Sequence, residues 1–500
     1  MRKLLLIVGL APVALLAGCG SSNSSGMGSG NFSNSNFNGS YVYQIWGSDP
    51  QSGNSYREAG VVTADGNGHI TGGVDDVEGV GISSSFGNAI SGGTYSINHD
   101  GTGTATINGA GFSTINLQIT LVSSSKVYLE PVQGGSGSSI FPLNGAGIAE
   151  QQNQSVIGTT PSGTYTFKLH DVQSLLGQAD NVGVFTSTTS GAVTGTEDVN
   201  RNGTVSQLLT FTGTFSAPTG NGRGTVTFTD TTPVTNTYEY YIVDGNNIRF
   251  LAADSSTVGL GRAEMQVGAP FTDPLSGNSY AFGARGDDPA NGAGAVNTVG
   301  TLSFSAGTVA GGAFDQVKDD VSLVDVPLTG GTYTVSANGR VLVTLNPQGG
   351  APISEIFWMV SPSRAFFLVN DPTMVEDGTA DQQTSASFSN SSLNGQFAFV
   401  MDGYDDVQNV LVDRVGWIQW NGSGGLKLSE AVNDSGNVSG SGTITGTYSV
   451  TSNGRVAASV SGLGSSNSDV IVYLVSGSQG YMLENDNGVE VLGVTQAQAP

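Results

Sequence analysis

The chain repeats itself four times, and that constrains its fold more than any other feature. A small or β-branched residue followed by glycine recurs at Ala59-Gly60, Val182-Gly183, Val299-Gly300 and Val415-Gly416, with glycine spacings of 123, 117 and 116 residues. In phase with it run Gly93-Thr94-Tyr95, Gly213-Thr214-Phe215, Gly331-Thr332-Tyr333 and Gly446-Thr447-Tyr448. Each unit opens on a glycine and an aromatic (Gly39/Tyr41, Gly163/Tyr165, Gly277/Tyr280, Gly395/Phe397) and closes near a glutamine: Gln151, Gln266, Gln383 and Gln496. A period this long marks tandem domains, not a solenoid of short repeats. The units fall at 37–152, 162–266, 276–383 and 393–498, with short polar joints between them.

Within a unit the pattern is β. Leu117, Ile119 and Leu121 alternate with Asn116, Gln118 and Thr120, and Val341, Val343 and Leu345 repeat the pattern in the third unit. Period-two alternation sends one set inward and the other outward. Asp100-Gly101, Asn221-Gly222, Asn338-Gly339 and Asn453-Gly454 supply the positive φ of tight hairpins. Seven or eight hairpin-linked strands per unit make a meander, and closing it removes exposed edges. The expected fold is all-β: four small up-and-down antiparallel barrels in a row, with a β-sandwich as the alternative. The Gly-x-aromatic opening resembles the Gly-x-Trp that starts the first strand of lipocalins.

Composition narrows the function classes. The net charge is −24, from 40 acidic and 16 basic residues, so the basic footprint needed on nucleic acid is missing. No cofactor motif is found. Cys19 is the single cysteine, and no disulfide can form within the chain. It follows Arg2, Lys3 and an apolar run from Leu4 to Leu16, at the end of Leu16-Ala17-Gly18-Cys19. That is the layout of a secretory signal, here residues 1–18.

The motif resembles the lipobox of bacterial lipoproteins. The resemblance implies lipidation of Cys19 and membrane attachment through that lipid, and Gly20 after the cysteine implies the outer membrane. Residues 19–36, rich in Gly, Ser and Asn, are expected to form a flexible tether. The lipobox and blocks such as Val62-Thr63-Ala64-Asp65-Gly66-Asn67-Gly68 together resemble the uncharacterised Gly/Ser/Thr-rich repeat lipoproteins of acidobacterial type.

Candidate sites are sparse. Asp75, Asp198 and Asp315 each lie fifteen residues after the repeated glycine, and Ca²⁺ takes carboxylate oxygens of this kind. Turn chemistry accounts for the same aspartates. Trp417 and Trp420 are candidates for stacking on a sugar or polymer, with burial as the other reading. Arg285-Gly286-Asp287 spells an integrin-ligand tripeptide that chance also explains. His69, His99 and His170 do not repeat, and no nucleophile elbow or zinc motif is present. The expectation is a non-catalytic, lipid-anchored cell-envelope protein with a surface binding, adhesion or structural role, an extracellular glycan or surface polymer being the candidate partner. Lipocalin-like binding of a small apolar ligand and an extracytoplasmic hydrolase are the alternatives.

Overall fold

The computed structural model describes residues 31–48, 54–80, 84–109, 114–132, 144–173, 177–231, 235–254, 257–289, 294–318, 321–405, 410–461, 467–486 and 488–500. Cys19, the signal 1–18 and residues 19–30 of the tether lie outside them. Each unit is a closed antiparallel barrel of eight strands in meander order, so the barrel holds and the sandwich does not. The strands run within 38–151, 163–265, 279–382 and 394–497 for barrels 1 to 4. In barrels 1 and 4 the fourth strand is broken in two (Ser85–Ile90 with Gly92–Ile97, and Asn437–Gly440 with Ile444–Val450), while closure is kept by second-to-third strand pairing.

Alternation delivers the cores. On the first strand of barrel 1, Tyr41, Tyr43 and Ile45 face the lumen, and the matching strand of barrel 2 sends in Tyr165, Phe167 and Leu169. The repeated glycine makes room for these rings, since a Cβ on Gly60 would lie 2.7 Å from the Tyr43 ring. The joint preceding each barrel also enters its core: Phe32 and Phe37 in barrel 1, Ile157 in barrel 2, Phe271 and Leu275 in barrel 3, Phe388 and Leu393 in barrel 4. The tether is therefore shorter than its composition suggests. Residues 34–36 form a 3₁₀ turn, and Phe32 is only 3% exposed, because an aromatic among polar residues gains more by plugging the barrel than by staying in water.

The four barrels form a closed ring, not a row. Outward apolar residues of each barrel pack on the next: Val42, Ala59 and Val61 on Tyr241 and Leu251; Val182 on Trp358 and Phe366; Ala281 and Val299 on Ile471 and Tyr473. Ala398, Val400 and Val415 of barrel 4 then pack on Val122, Tyr128 and Ala146 of barrel 1. A glutamine at the equivalent place in every junction bonds two carbonyls of the next barrel. Gln152 Nε2 donates to Asn221 and Ile242 O, Gln266 to Asn338 and Met359 O, and Gln383 to Asn453 and Leu474 O. Gln498 makes the same pair across the chain ends, to Asp100 and Leu121 O at 3.1 and 2.6 Å. These are Gln152 and Gln498, beside the Gln151 and Gln496 of the sequence pattern.

Three junctions also bury an ion pair. Arg223, Arg340 and Arg455 each follow an Asn-Gly turn and reach back to Asp76, Asp198 and Asp315 of the preceding barrel. Tyr241, Trp358 and Tyr473 donate to the same three carboxylates. At the closing junction the corresponding residues are Ala431, Thr102 and Thr120, as the strand registers show. Acid, base and aromatic donor have all gone together.

Removing one partner of such a buried pair leaves an uncompensated charge and costs about 3–5 kcal/mol. Arg340→Ala is expected to destabilise the full chain by that amount in a denaturant titration. The double change Asp198→Ala with Arg340→Thr, which copies the closing junction, is expected to cost less than either single change. Additive losses would contradict the pairing.

Candidate functional site

The first strands of the four barrels converge on the axis of the ring. Counting from their inward aromatics, Trp46, His170, Arg285 and Asp402 occupy one equivalent outward position. Arg285 bonds Asp402 with both terminal nitrogens, at 2.9 and 2.8 Å, and its guanidinium lies 5.6 Å from the Trp46 ring centre. Barrels 1 and 3 are not neighbours around the ring, so this contact places the group on the axis. Arg57 lies in the same field, where burial lowers its pKa to about 10.

His170 forms the most compact cluster. Its Nδ1 is 2.9 Å from Asp180 Oδ1 and 2.9 Å from Asp377 Oδ1, while Lys168 Nζ is 2.6 Å from Asp377 Oδ2. Gln178 Nε2 donates to Asp180 Oδ2. Burial alone would lower the His170 pKa, but the Asp180 and Asp377 carboxylates outweigh it and raise the pKa to about 9. One histidine and two carboxylates form a plausible ligand set for a metal. Here the imidazolium and the Lys168 ammonium already neutralise both carboxylates, so the cluster acts as an electrostatic clamp between barrels 2 and 3. A metal would have to displace both cations.

A second belt sits two residues ahead of each bonding glutamine. Arg249 bonds Glu150, Arg364 Nε lies 2.8 Å from Glu264, Tyr481 OH donates to Asp381 at 2.7 Å, and Lys126 Nζ donates to Gln496 at 3.0 Å. Burial would raise the Glu150 pKa, yet Arg249, Arg262 and Lys126 together bring it down to about 2. The cations of this acidic chain are thus concentrated between the barrels and on the axis.

The sequence candidates land elsewhere. The hairpin of the second and third strands of barrel 1 holds one residue more than its counterparts. The residue matching Asp198 and Asp315 is therefore Asp76, and Asp75 points into the lumen, accepting from Tyr43 OH at 2.6 Å. Arg340 and Trp358 bond Asp198, and Arg455 and Tyr473 bond Asp315, so Asp75, Asp198 and Asp315 occupy three separate environments and assemble no common cation site. Trp420 is 1% exposed in the core of barrel 4, edge-on to Tyr448. Trp417 is half-buried at the closing junction, where Nε1 donates to Asp100 Oδ2 at 3.0 Å. Trp420 therefore offers no free stacking face. Arg285-Gly286-Asp287 lies within a strand at the axis, with Arg285 committed to Asp402. No sequence motif groups the axis residues, because their partners lie in other units. Aligning the outward positions of the four first strands would have found them.

The lumens are packed with side chains. Phe167, Phe185, Phe211, Phe228 and Phe250 pack against one another in barrel 2. Barrel 4 encloses about 20 Å³ beside Arg414, Glu430 and Glu484, roughly the room for one water. Burial lifts the carboxyls of Glu355 and Glu376 in barrel 3 to about 8, and that of Glu430 to about 7.

These acids keep protons in the folded chain that the unfolded chain releases near its ordinary carboxylate range. The folded state then binds more protons from that range up to about 8, so stability falls as pH rises. His170 has the same sign: its contribution is full below its ordinary value of 6.5 and is lost through about 9. Calorimetric melting of the mature chain is expected at a higher temperature at pH 5 than at pH 9, with Glu355→Gln flattening the profile. A higher melting temperature at pH 9 would contradict the burial argument.

No protein-family profile matches the chain, and no curated protein matches it in sequence. Among solved structures, isotype 1 transferrin binding protein B from serogroup B Neisseria meningitidis is similar at 11% identity, over 75% of this chain and 84% of that one, with a TM-score of 0.20. A double mutant of transferrin binding protein B from Haemophilus parasuis Hp5 is similar at 12% identity, over 75% and 83%, with a TM-score of 0.17. A DUF3598-family protein of unknown function from Nostoc punctiforme is similar at 10% identity, over 46% and 99%, with a TM-score of 0.13. At these scores the likenesses carry no functional argument, which must come from the chain's own residues.

Proposed function

We propose that this is a lipid-anchored protein of the cell envelope, of the repeat-lipoprotein kind its lipobox resembles, and that the ring is a non-catalytic platform binding a surface glycan or polymer. The observation that carries this reading is ring closure. Four barrels joined by repeated glutamine bonds and apolar contacts, with buried ion pairs at three of the four junctions, move as one body. A rigid body on a tether suits presentation of a face better than turnover.

Closure also changes the expected binding mode. Four modules strung outward would act by avidity among independent units. In a ring, each barrel uses two flanks on its neighbours, and only faces and rim remain for a partner. Lipocalin-like binding of an apolar ligand loses its basis, because the inward positions that would line such a cavity are filled by Phe, Tyr and Leu.

Anchoring and binding have separate tests. Cys19→Ser is expected to move the protein from the membrane pellet to the soluble fraction, and retention in the pellet would sink the lipid anchor. The soluble mature ring is expected to cosediment with an insoluble envelope or matrix glycan (peptidoglycan, chitin and cellulose being the probes) without releasing reducing sugar. Release of sugar would overturn the non-catalytic reading.

A further inference from the structure

Barrel 2 differs from barrel 3 at one end in the side chains that line it. Its fourth strand, Thr204–Phe215, meets the fifth, Arg223–Asp230, only from Phe211 onward, just as the fourth strand of barrel 3, Val321–Val335, meets Arg340–Pro347 only from Leu328 onward. A slot is left in the wall, and behind it lies a pocket of about 410 Å³. Asn181, Glu197, Arg201, Ser206, Asp230 and Asn236 line it. Val199 and Leu209 form an apolar wall on one side. Pockets of this size accommodate small ligands.

The repeat itself provides the control. Asn236 stands opposite Phe228, and the matching pairs are Ile353 opposite Leu345 in barrel 3 and Ile115 opposite Ile107 in barrel 1. Glu197 precedes the junction aspartate Asp198, where barrel 3 has Phe314 before Asp315. Two strands on, Pro347 of barrel 3 replaces Asp230. In barrel 3, Phe314, Val326 and Ile353 close this end with apolar packing. Barrel 2 gives up that packing for amides and carboxyls, and burying such groups costs stability unless they find partners.

We infer that the open end of barrel 2 binds a neutral sugar of one or two rings. The inference deepens the binding reading above and rests on it for the source of the sugar, a glycan of the envelope. Sugar hydroxyls both donate and accept, and so do the side-chain amides and the hydroxyl of this lining. Asn181 Nδ2 donates to Glu197 Oε2 at 3.0 Å, which orients both planar groups along the pocket wall. Planar amides and carboxyls in pairs match vicinal hydroxyls. Arg201 stands among Glu197 and Asp230, so neither a strongly cationic nor an anionic ligand meets a field of one sign. Val199 and Leu209 suit the C–H face of a pyranose ring.

The experiment titrates glucose, N-acetylglucosamine, maltose and cellobiose into the soluble mature chain by calorimetry, with spermidine as a charged probe. At least one sugar is expected to bind saturably. Asn236→Ile, which installs the residue of barrels 1 and 3, is expected to weaken that sugar by at least about tenfold while leaving the melting temperature unchanged or higher. Asp230→Asn serves as a second, near-isosteric variant and is expected to alter affinity without unfolding. Three results would each overturn the inference: no saturable binding of any of the four sugars, binding that survives Asn236→Ile, or displacement of the sugar by spermidine. None of these touches the pellet or cosedimentation results, so failure of the pocket is distinguishable from failure of the platform.

Discussion

The buried pairing of an aspartate on one barrel with an arginine on the next is the interaction on which the ring is organised. The aspartate points outward from a strand whose neighbours pack inward, and would be stranded in an apolar junction without a partner. The partner comes from the turn of the following barrel, where an Asn-Gly pair aims the arginine backward. A tyrosine or tryptophan supplies a further donor, so the carboxylate keeps its hydrogen bonds after leaving water. Such a pair adds little net stability over apolar packing of equal volume, yet it punishes misalignment severely. Its effect is on register: each barrel can dock on the next in one orientation.

The closing junction shows the same physics by its absence. Barrels 4 and 1 are not consecutive along the chain, so no short joint holds their contact. There the set is replaced by Ala431, Thr102 and Thr120, and other hydrogen bonds take over. Gln498 and Gln396 donate to Asp100 O, Trp417 to the Asp100 carboxylate, and Asn433 to Pro131 O. The ring therefore has three junctions that carry the aspartate–arginine pair and one seam that lacks it.

Much of the barrel was legible in the sequence because its determinants are local. Period-two alternation and Asn-Gly turns act over a few residues, and four copies of the pattern confirmed one another. The site was less legible. Asp76 was displaced by one position because a single extra hairpin residue shifted the count to Asp75, and a one-residue slip in a strand exchanges inside for outside. Trp417 and Trp420 stand on opposite faces of one strand, as their spacing requires. Which neighbour covers each face depends on barrel closure and on the seam with barrel 1. The axis group of Trp46, His170, Arg285 and Asp402 left no motif, since each member belongs to a different unit.

The sequence by itself determined four all-β units of alternating strands and tight turns, with the barrel and the sandwich both open. These follow from side-chain alternation and backbone preference, which any segment carries with it. Only the tertiary structure decided that the four units close on themselves, that a scarce arginine meets an aspartate some 140 residues away, and that barrel 2 leaves a polar pocket where barrel 3 packs apolar side chains. Those outcomes depend on which outward faces meet, and outward faces carry no periodic signal because their partners are set by docking rather than by neighbours along the chain.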